Sequence, residues 1–140
     1  MSAQPSIAPL PDPAATLSRT YDFEARLPEL ATMMSMSGFD YLSAVLRGEQ
    51  PGAAIAHTLN FTLAEVAHGR AVFEGEPARF LYNPLASVHG GWAATLLDSA
   101  MGCAVHTVLP TGVGYTTLEI KVNIIKASAR TRGRCVPRRA

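Results

Sequence analysis

Residues 83 to 109 constrain this chain more than any other stretch. They begin as a polar, turn-forming loop, Asn83-Pro84-Leu85-Ala86-Ser87-Val88, and pass through His89-Gly90-Gly91. From Trp92 to Leu109 they continue in a helical pattern that is apolar almost all the way round. A helix apolar on every side has to be buried on every side. One carboxylate, Asp98, stands in the middle of it. A carboxylate taken out of water is costly unless it has partners or a task. The rest of the chain must therefore supply cover for this helix.

At 140 residues the chain makes one domain, and a hydrophobic content of 48% supports a real core. A net charge of +1 predicts no strong attraction to nucleic acid or membranes. The balance hides an asymmetry, because residues 126–140 hold Lys126, Arg130, Arg132, Arg134, Arg138 and Arg139 and no acid. Cys103 and Cys135 do not make a disulfide framework, and Cys103, on the apolar helix, reads as core. Met1 to Pro13 lacks the apolar run and basic flank of a signal peptide. Residues 91–109 are long and apolar enough to raise a transmembrane reading, but Asp98, Ser99, Gly102 and His106 argue against it, since charge in lipid is costly. The expectation is a soluble cytoplasmic protein.

Residues 1–26 read as a flexible or extended leader with Pro5, Pro9, Pro11 and Pro13 near its start, its end, Tyr21 to Arg26, being ambiguous. From Leu27 to Arg47, Leu30, Met33, Met34, Phe39, Leu42, Val45 and Leu46 recur at helical spacing, and Ser37-Gly38 divides them into two short helices. Ile55 to Val66 reads as a strand, with Leu59, Phe61 and Leu63 alternating against Thr58, Asn60 and Thr62. His68-Gly69 is a turn, and Arg70 to Glu76 alternates again, which predicts an antiparallel hairpin. After the helix, Tyr115 to Ile125 reads as a strand, with Thr117, Glu119, Lys121 and Asn123 alternating against Leu118, Ile120, Val122 and Ile124. The fold class expected is α+β, a curled antiparallel sheet around one long central helix. Three convincing strands are thin cover for a helix of about 18 residues, or roughly 27 Å at 1.5 Å per residue.

The chemistry-bearing residues of the central stretch are Asn83, His89, Gly90, Gly91 and Asp98. Free backbone N–H groups at a helix N-terminus attract developing negative charge, and glycine lets a substrate approach the backbone, as an oxyanion hole requires. An ordinary helix start explains His-Gly-Gly equally well. His89 and Asn83 can donate hydrogen bonds, either to a substrate or to hold the loop. Asp98 can act as general base or nucleophile, or be a structural carboxylate bonded to Thr95 or Ser99. Nine residues separate His89 from Asp98, about 13 Å along a helix and roughly opposite faces. The two cannot meet around one substrate atom in one subunit. Either they have different tasks, or the site forms between two copies of the chain.

Asn83, Val88-His89-Gly90-Gly91, Ala94-Thr95-Leu96-Leu97-Asp98-Ser99-Ala100-Met101-Gly102 and Tyr115-Thr116-Thr117-Leu118-Glu119-Ile120-Lys121-Val122-Asn123 together resemble the hotdog-fold acyl-CoA thioesterases of the phenylacetate-degradation type. The resemblance runs from about Ser37 to Ala127. It implies an antiparallel sheet wrapped around the helix, homodimers often paired into homotetramers, and hydrolysis of acyl-CoA without metal or other cofactor. By it, Asp98 matches the catalytic carboxylate, Gly90 the oxyanion N–H donor, and Asn83 and His89 the residues that place thioester or water. Thr117 matches a hydroxyl position beside the carboxylate. Gly91, Trp92 and Thr116 are the substrate-binding candidates, with Met101 and Phe80 as further pocket guesses. The implied site is shared between subunits.

The resemblance ends where the family continues with roughly two more strands. The hotdog domain is thus expected to span 27–127 and be incomplete, followed by a basic non-family tail, 128–140, with its C-terminal strands missing. Back-translated with GC-rich codons, and with one base restored after the start of the Ala127 codon, the tail reads K-A-I-S-A-D-T-G-Q-V-R-A-E-A-R, which looks like the family's next turn and strand. A frameshifted gene end is the expectation, and coding DNA without further such strands in that frame would end it. Two other readings compete with hydrolysis: a non-catalytic acyl-CoA-binding hotdog protein, and an inactive fragment. A dehydratase on the same fold fits the His-Gly-Gly and helical Asp less well.

Overall fold

The computed structural model describes residues 14–24, 26–124 and 133–135. The frameshift expectation, and Ile125 with it, falls mostly outside them. Two short helices come first, α1 (Leu30–Met34) and α2 (Gly38–Leu46). They divide at Ser37-Gly38 as the sequence predicts, because Ser37 is an N-cap. Its hydroxyl accepts from the Asp40 N–H at 3.2 Å and donates to the Asp40 carboxylate at 2.6 Å. Gly38 packs on the end of the central helix, where a Cβ would strike the His106 carbonyl.

The expected strand from Ile55 is corrected at its start. Ala54–Leu59 is a helix, α3, and the strand β1 occupies only Phe61–Ala67. Ala54 and Ala56 favour the helix. Asn60 ends it in the left-handed conformation (φ 57°). Leu59 and Phe61, two residues apart, imitate strand alternation across that junction. From Phe61 the expected strand forms, with Phe61 buried and Thr62 exposed at its start. The hairpin forms as predicted, β1 pairing antiparallel with β2 (Arg70–Gly75) around a turn at Gly69 (φ 72°), with a register shift between Leu63 and Glu65.

The central helix, α4, runs Gly90–His106. Trp92, Leu96 and Ala100, one stripe at four-residue spacing, are buried against Ala71 and Phe73 of β2 with Phe61, Leu81 and Val88. Gly75 lets helix and sheet close up: a Cβ there would lie 2.6 Å from the Trp92 ring and 3.2 Å from Leu96. The other side of α4 is open, with Met101 39% and Val105 49% exposed. One chain therefore does not bury this helix all round, contrary to the expectation that its apolarity sets.

The expected strand Tyr115–Ile125 is also corrected. Residues 115–124 form no ladder among the described residues. Alternation specifies two faces, but a ladder also needs a strand edge alongside, and this segment lies along α4 instead, with Tyr115 at Gly102 and Ile124 at Gly90, while both edges of β2 are taken. One is held by β1 and the other by β3 (Gly133–Cys135), which pairs antiparallel with Phe73–Gly75. That short strand comes from the basic tail, whose composition predicts none; pairing there uses backbone groups, which every residue type carries except proline's N–H. The architecture is α+β, a small antiparallel sheet against one long helix. Among the described residues no helix is long and apolar enough to cross a membrane.

Candidate active site

The loop before α4 is built by Asn83. Its side-chain oxygen accepts from the Leu85 and Ser87 N–H groups at 2.9 and 3.2 Å, and its amide donates to the Ser87 hydroxyl at 2.9 Å. The bonds hold a tight turn with Ala86 at φ 57°. The next residues are pinned to the core, Val88 bridging to Tyr82 and the His89 N–H donating to the Leu81 carbonyl at 2.8 Å. His89 then caps α4: its Nδ1 accepts the Gly91 N–H at 2.9 Å. With Nδ1 as acceptor, Nε2–H is the donor of the neutral ring, on a residue that is exposed. With the Gly91 N–H occupied, the Gly90 N–H has no hydrogen-bond partner among the described residues. The positive end of the helix dipole lies at this point.

Asp98 is half-buried two turns further along. Neither Thr95 nor Ser99 holds it: both hydroxyls donate back to helix carbonyls, those of Gly91 at 2.9 Å and Thr95 at 3.1 Å. Its partner is Thr117, whose hydroxyl donates to Asp98 Oδ1 at 2.8 Å from a position 19 residues on. The segment carrying Thr117 lies along α4, with Tyr115 over Gly102 and Ile124 over Gly90. The structure thus brings Asp98 and Thr117 together, and Asn83, His89 and Gly90 together at the helix start.

The remaining candidates are dispersed. Trp92 is a core residue, its indole N–H donating to the Leu59 carbonyl at 2.6 Å. Thr116 is exposed beside Thr117, and Met101 is exposed on the open side of α4. Phe80 lies under the Arg19 guanidinium at 4.0 Å. Sequence reasoning overlooked two groups. Tyr115 sits against Gly102 and interacts with Cys103, and burial raises its phenol pKa, with Cys103 and Asp98 adding to the effect. Burial likewise pushes the Cys103 thiol up to about 11, so it stays protonated at neutral pH. The two-residue spacing of Tyr115 and Thr117, which puts them on one face of an extended segment, was the available signal for the first. The second, Arg19, ties the leader to α3 by donating to the Thr58 and His57 carbonyls at 2.6 and 2.7 Å, and carried no sequence signal. It borders a cleft of about 560 Å³ with Tyr21, Asn60 and Glu76, which contains none of the candidate site residues. Among the described residues no group of histidines, cysteines and carboxylates could hold a metal ion.

A family model described as the thioesterase superfamily matches residues 85–131, the segment that carries α4, Thr117 and the site loop from Leu85 on, though not Asn83. No curated protein matches. Among solved structures, a phenylacetic acid degradation-related protein from Ralstonia eutropha JMP134, assigned as a thioesterase, is 28% identical with a TM-score of 0.60; the match covers 67% of this chain and 74% of that one. A conserved protein from Pseudomonas aeruginosa is 29% identical with a TM-score of 0.58, over 61% and 68% of the two chains. Fold, motif-bearing segment and neighbours coincide: the chain has the α+β architecture of its hotdog-fold thioesterase neighbours, and residues 85–131 match the thioesterase superfamily.

Proposed function

We propose that the chain hydrolyses acyl-CoA thioesters, with Asp98 as the catalytic carboxylate, at a site completed by a second copy of the chain. The observation that carries this reading is the bond from Thr117 to Asp98 Oδ1, which fixes the carboxylate and leaves Oδ2 to act. In one turnover Oδ2 takes a proton from water as the oxygen adds to the thioester carbonyl carbon. The negative charge that forms on the carbonyl oxygen is met by the Gly90 N–H of the other copy, at a helix N-terminus where such charge is favoured. The C–S bond then breaks, and the CoA thiolate leaves and is protonated. A direct attack by Oδ2 on the same carbon gives the same products through an anhydride. Asn83 holds the loop, and His89 Nε2–H is free to donate to substrate or water.

Sharing the site between copies is supported by the open side of α4. Met101 and Val105 are exposed, and so is the apolar row of the neighbouring segment, Leu118, Ile120 and Ile124. Apolar surface that is contiguous and uncovered marks an association face. A homodimer, alone or paired into a tetramer, would cover it.

Thiol release from a panel of aliphatic and aromatic acyl-CoAs tests the reading. Asp98→Ala should lower kcat by about 10²-fold or more, the usual contribution of a positioned acid–base group, while thioether analogues still bind. Turnover unchanged in that variant removes Asp98 from the mechanism.

A further inference from the structure

We propose that Tyr115 is the residue that sets acyl-chain length, closing the space beside Asp98 on the side toward the C-terminal end of α4. The proposal rests on the hydrolase reading above and deepens it. Two periodicities are matched along the helix. Asp98 and Gly102 are four residues apart and share one face, about 6 Å along the axis. Thr117 and Tyr115 are two residues apart on an extended segment, about 6.6 Å along it, and also share a face. The two rows lie against each other, so that Thr117 meets Asp98 and Tyr115 meets Gly102. A Cβ at position 102 would lie 2.9 Å from Tyr115 Cε2 and 3.0 Å from its hydroxyl. The phenol thus fills the volume that a side chain on α4 would otherwise take, one turn from the reacting carboxylate.

The ring is held on three sides. Gly102 lies beneath it, Cys103 interacts with its hydroxyl, and the His106 ring is 5.3 Å away between centroids. It still leaves part of itself in the open, at 44% exposure. A group so placed bounds a substrate without taking part in proton transfer. An acyl chain that starts at the thioester carbon beside Asp98 and runs toward the helix C-terminus meets the ring after a few carbons. Removing the ring opens a slot over Gly102, walled by Cys103 and His106. Each methylene admitted to an apolar slot is worth about fourfold in kcat/KM.

The experiment uses the full chain and straight-chain acyl-CoAs from acetyl to dodecanoyl, with kcat and KM measured for each. Tyr115→Ala should raise the ratio of long-chain to short-chain kcat/KM at least tenfold, while Tyr115→Phe keeps the ring and the wild-type profile. Adding Gly102→Ala to Tyr115→Ala puts a methyl group into the slot and should move the profile back toward short chains. Tyr115→Leu, which preserves apolar packing, is read in the same way if the alanine variant does not fold. Thioether analogues of the same ladder give the length profile as affinities. A wild-type chain that hydrolyses none of the substrates sinks the hydrolase reading, and the affinities then decide about Tyr115 alone. A uniform loss in Tyr115→Ala at every length, with the ratio unmoved, overturns the proposal.

Discussion

His106 ends α4 with its ring buried (5% exposed) between Tyr41 of α2, at 5.9 Å between centroids, and Tyr115, at 5.3 Å. Burial lowers its pKa from the ordinary 6.5. In the unfolded chain the imidazole binds a proton at 6.5, and in the folded chain only at a lower pH. Between those values the unfolded state holds more protons, so stability rises with pH across the window. The contribution is complete above 6.5 and is lost as pH falls through the lowered folded value. Thermal melts from pH 8 to 5 should show the midpoint falling on the acid side. His106→Gln, which cannot take up the proton, should flatten that limb relative to wild type; an equal acid slope in both chains would assign the loss to other groups.

At the scale of elements, the junction between α3 and β1 depends on one backbone conformation. Asn60 is left-handed, and its side-chain amide donates to the Glu76 carbonyl at 2.7 Å, which ties the start of β1 to the end of β2. A β-carbon without a local hydrogen bond costs about 1–2 kcal/mol in that region. Asn60→Ala should therefore lose about 1–2 kcal/mol in urea unfolding, and Asn60→Gly less than half as much, since glycine enters the region freely. Equal losses would mean that the amide bond, not φ, is what matters. The same junction shows what the sequence could tell and what it could not. The split at Ser37-Gly38, the His68-Gly69 turn, the hairpin and α4 were readable because each rests on local chemistry, a cap, a turn glycine or a period. The helix over Ala54–Leu59 was hidden because Leu59 and Phe61 fall two apart across a conformational break. The alternation from Tyr115 stands in the sequence, but whether it forms a ladder depends on what lies beside it, here α4 rather than a strand edge, a tertiary fact with no local signature. At the site, Asp98 stood out as an odd charge, while its bond to Thr117 spans 19 residues and followed only from the family resemblance.

At the scale of the whole molecule, the two proposed half-sites lie at different places on α4, an N–H at Gly90 with no partner among the described residues and a hydroxyl-bonded carboxylate at Asp98. If two copies complete the site, each contributes one half to each of two centres. Gly90 is the first helical residue and follows His89 in an extended conformation, the setting in which proline fits and removes only an N–H that the helix does not use. A β-carbon added there meets only the tip of the Ile124 side chain. Gly90→Pro should thus fold and lose about 10²–10³ in kcat, while Gly90→Ala, which keeps the N–H, loses far less. Mixing is the sharper measurement. Gly90→Pro and Asp98→Ala chains, each inactive alone, should recover about a quarter of the wild-type rate when unfolded together and refolded in equal amounts. Half of the dimers are then mixed, and each mixed dimer has one intact centre of two. A site confined to one chain predicts no recovery, because every subunit then carries a defect.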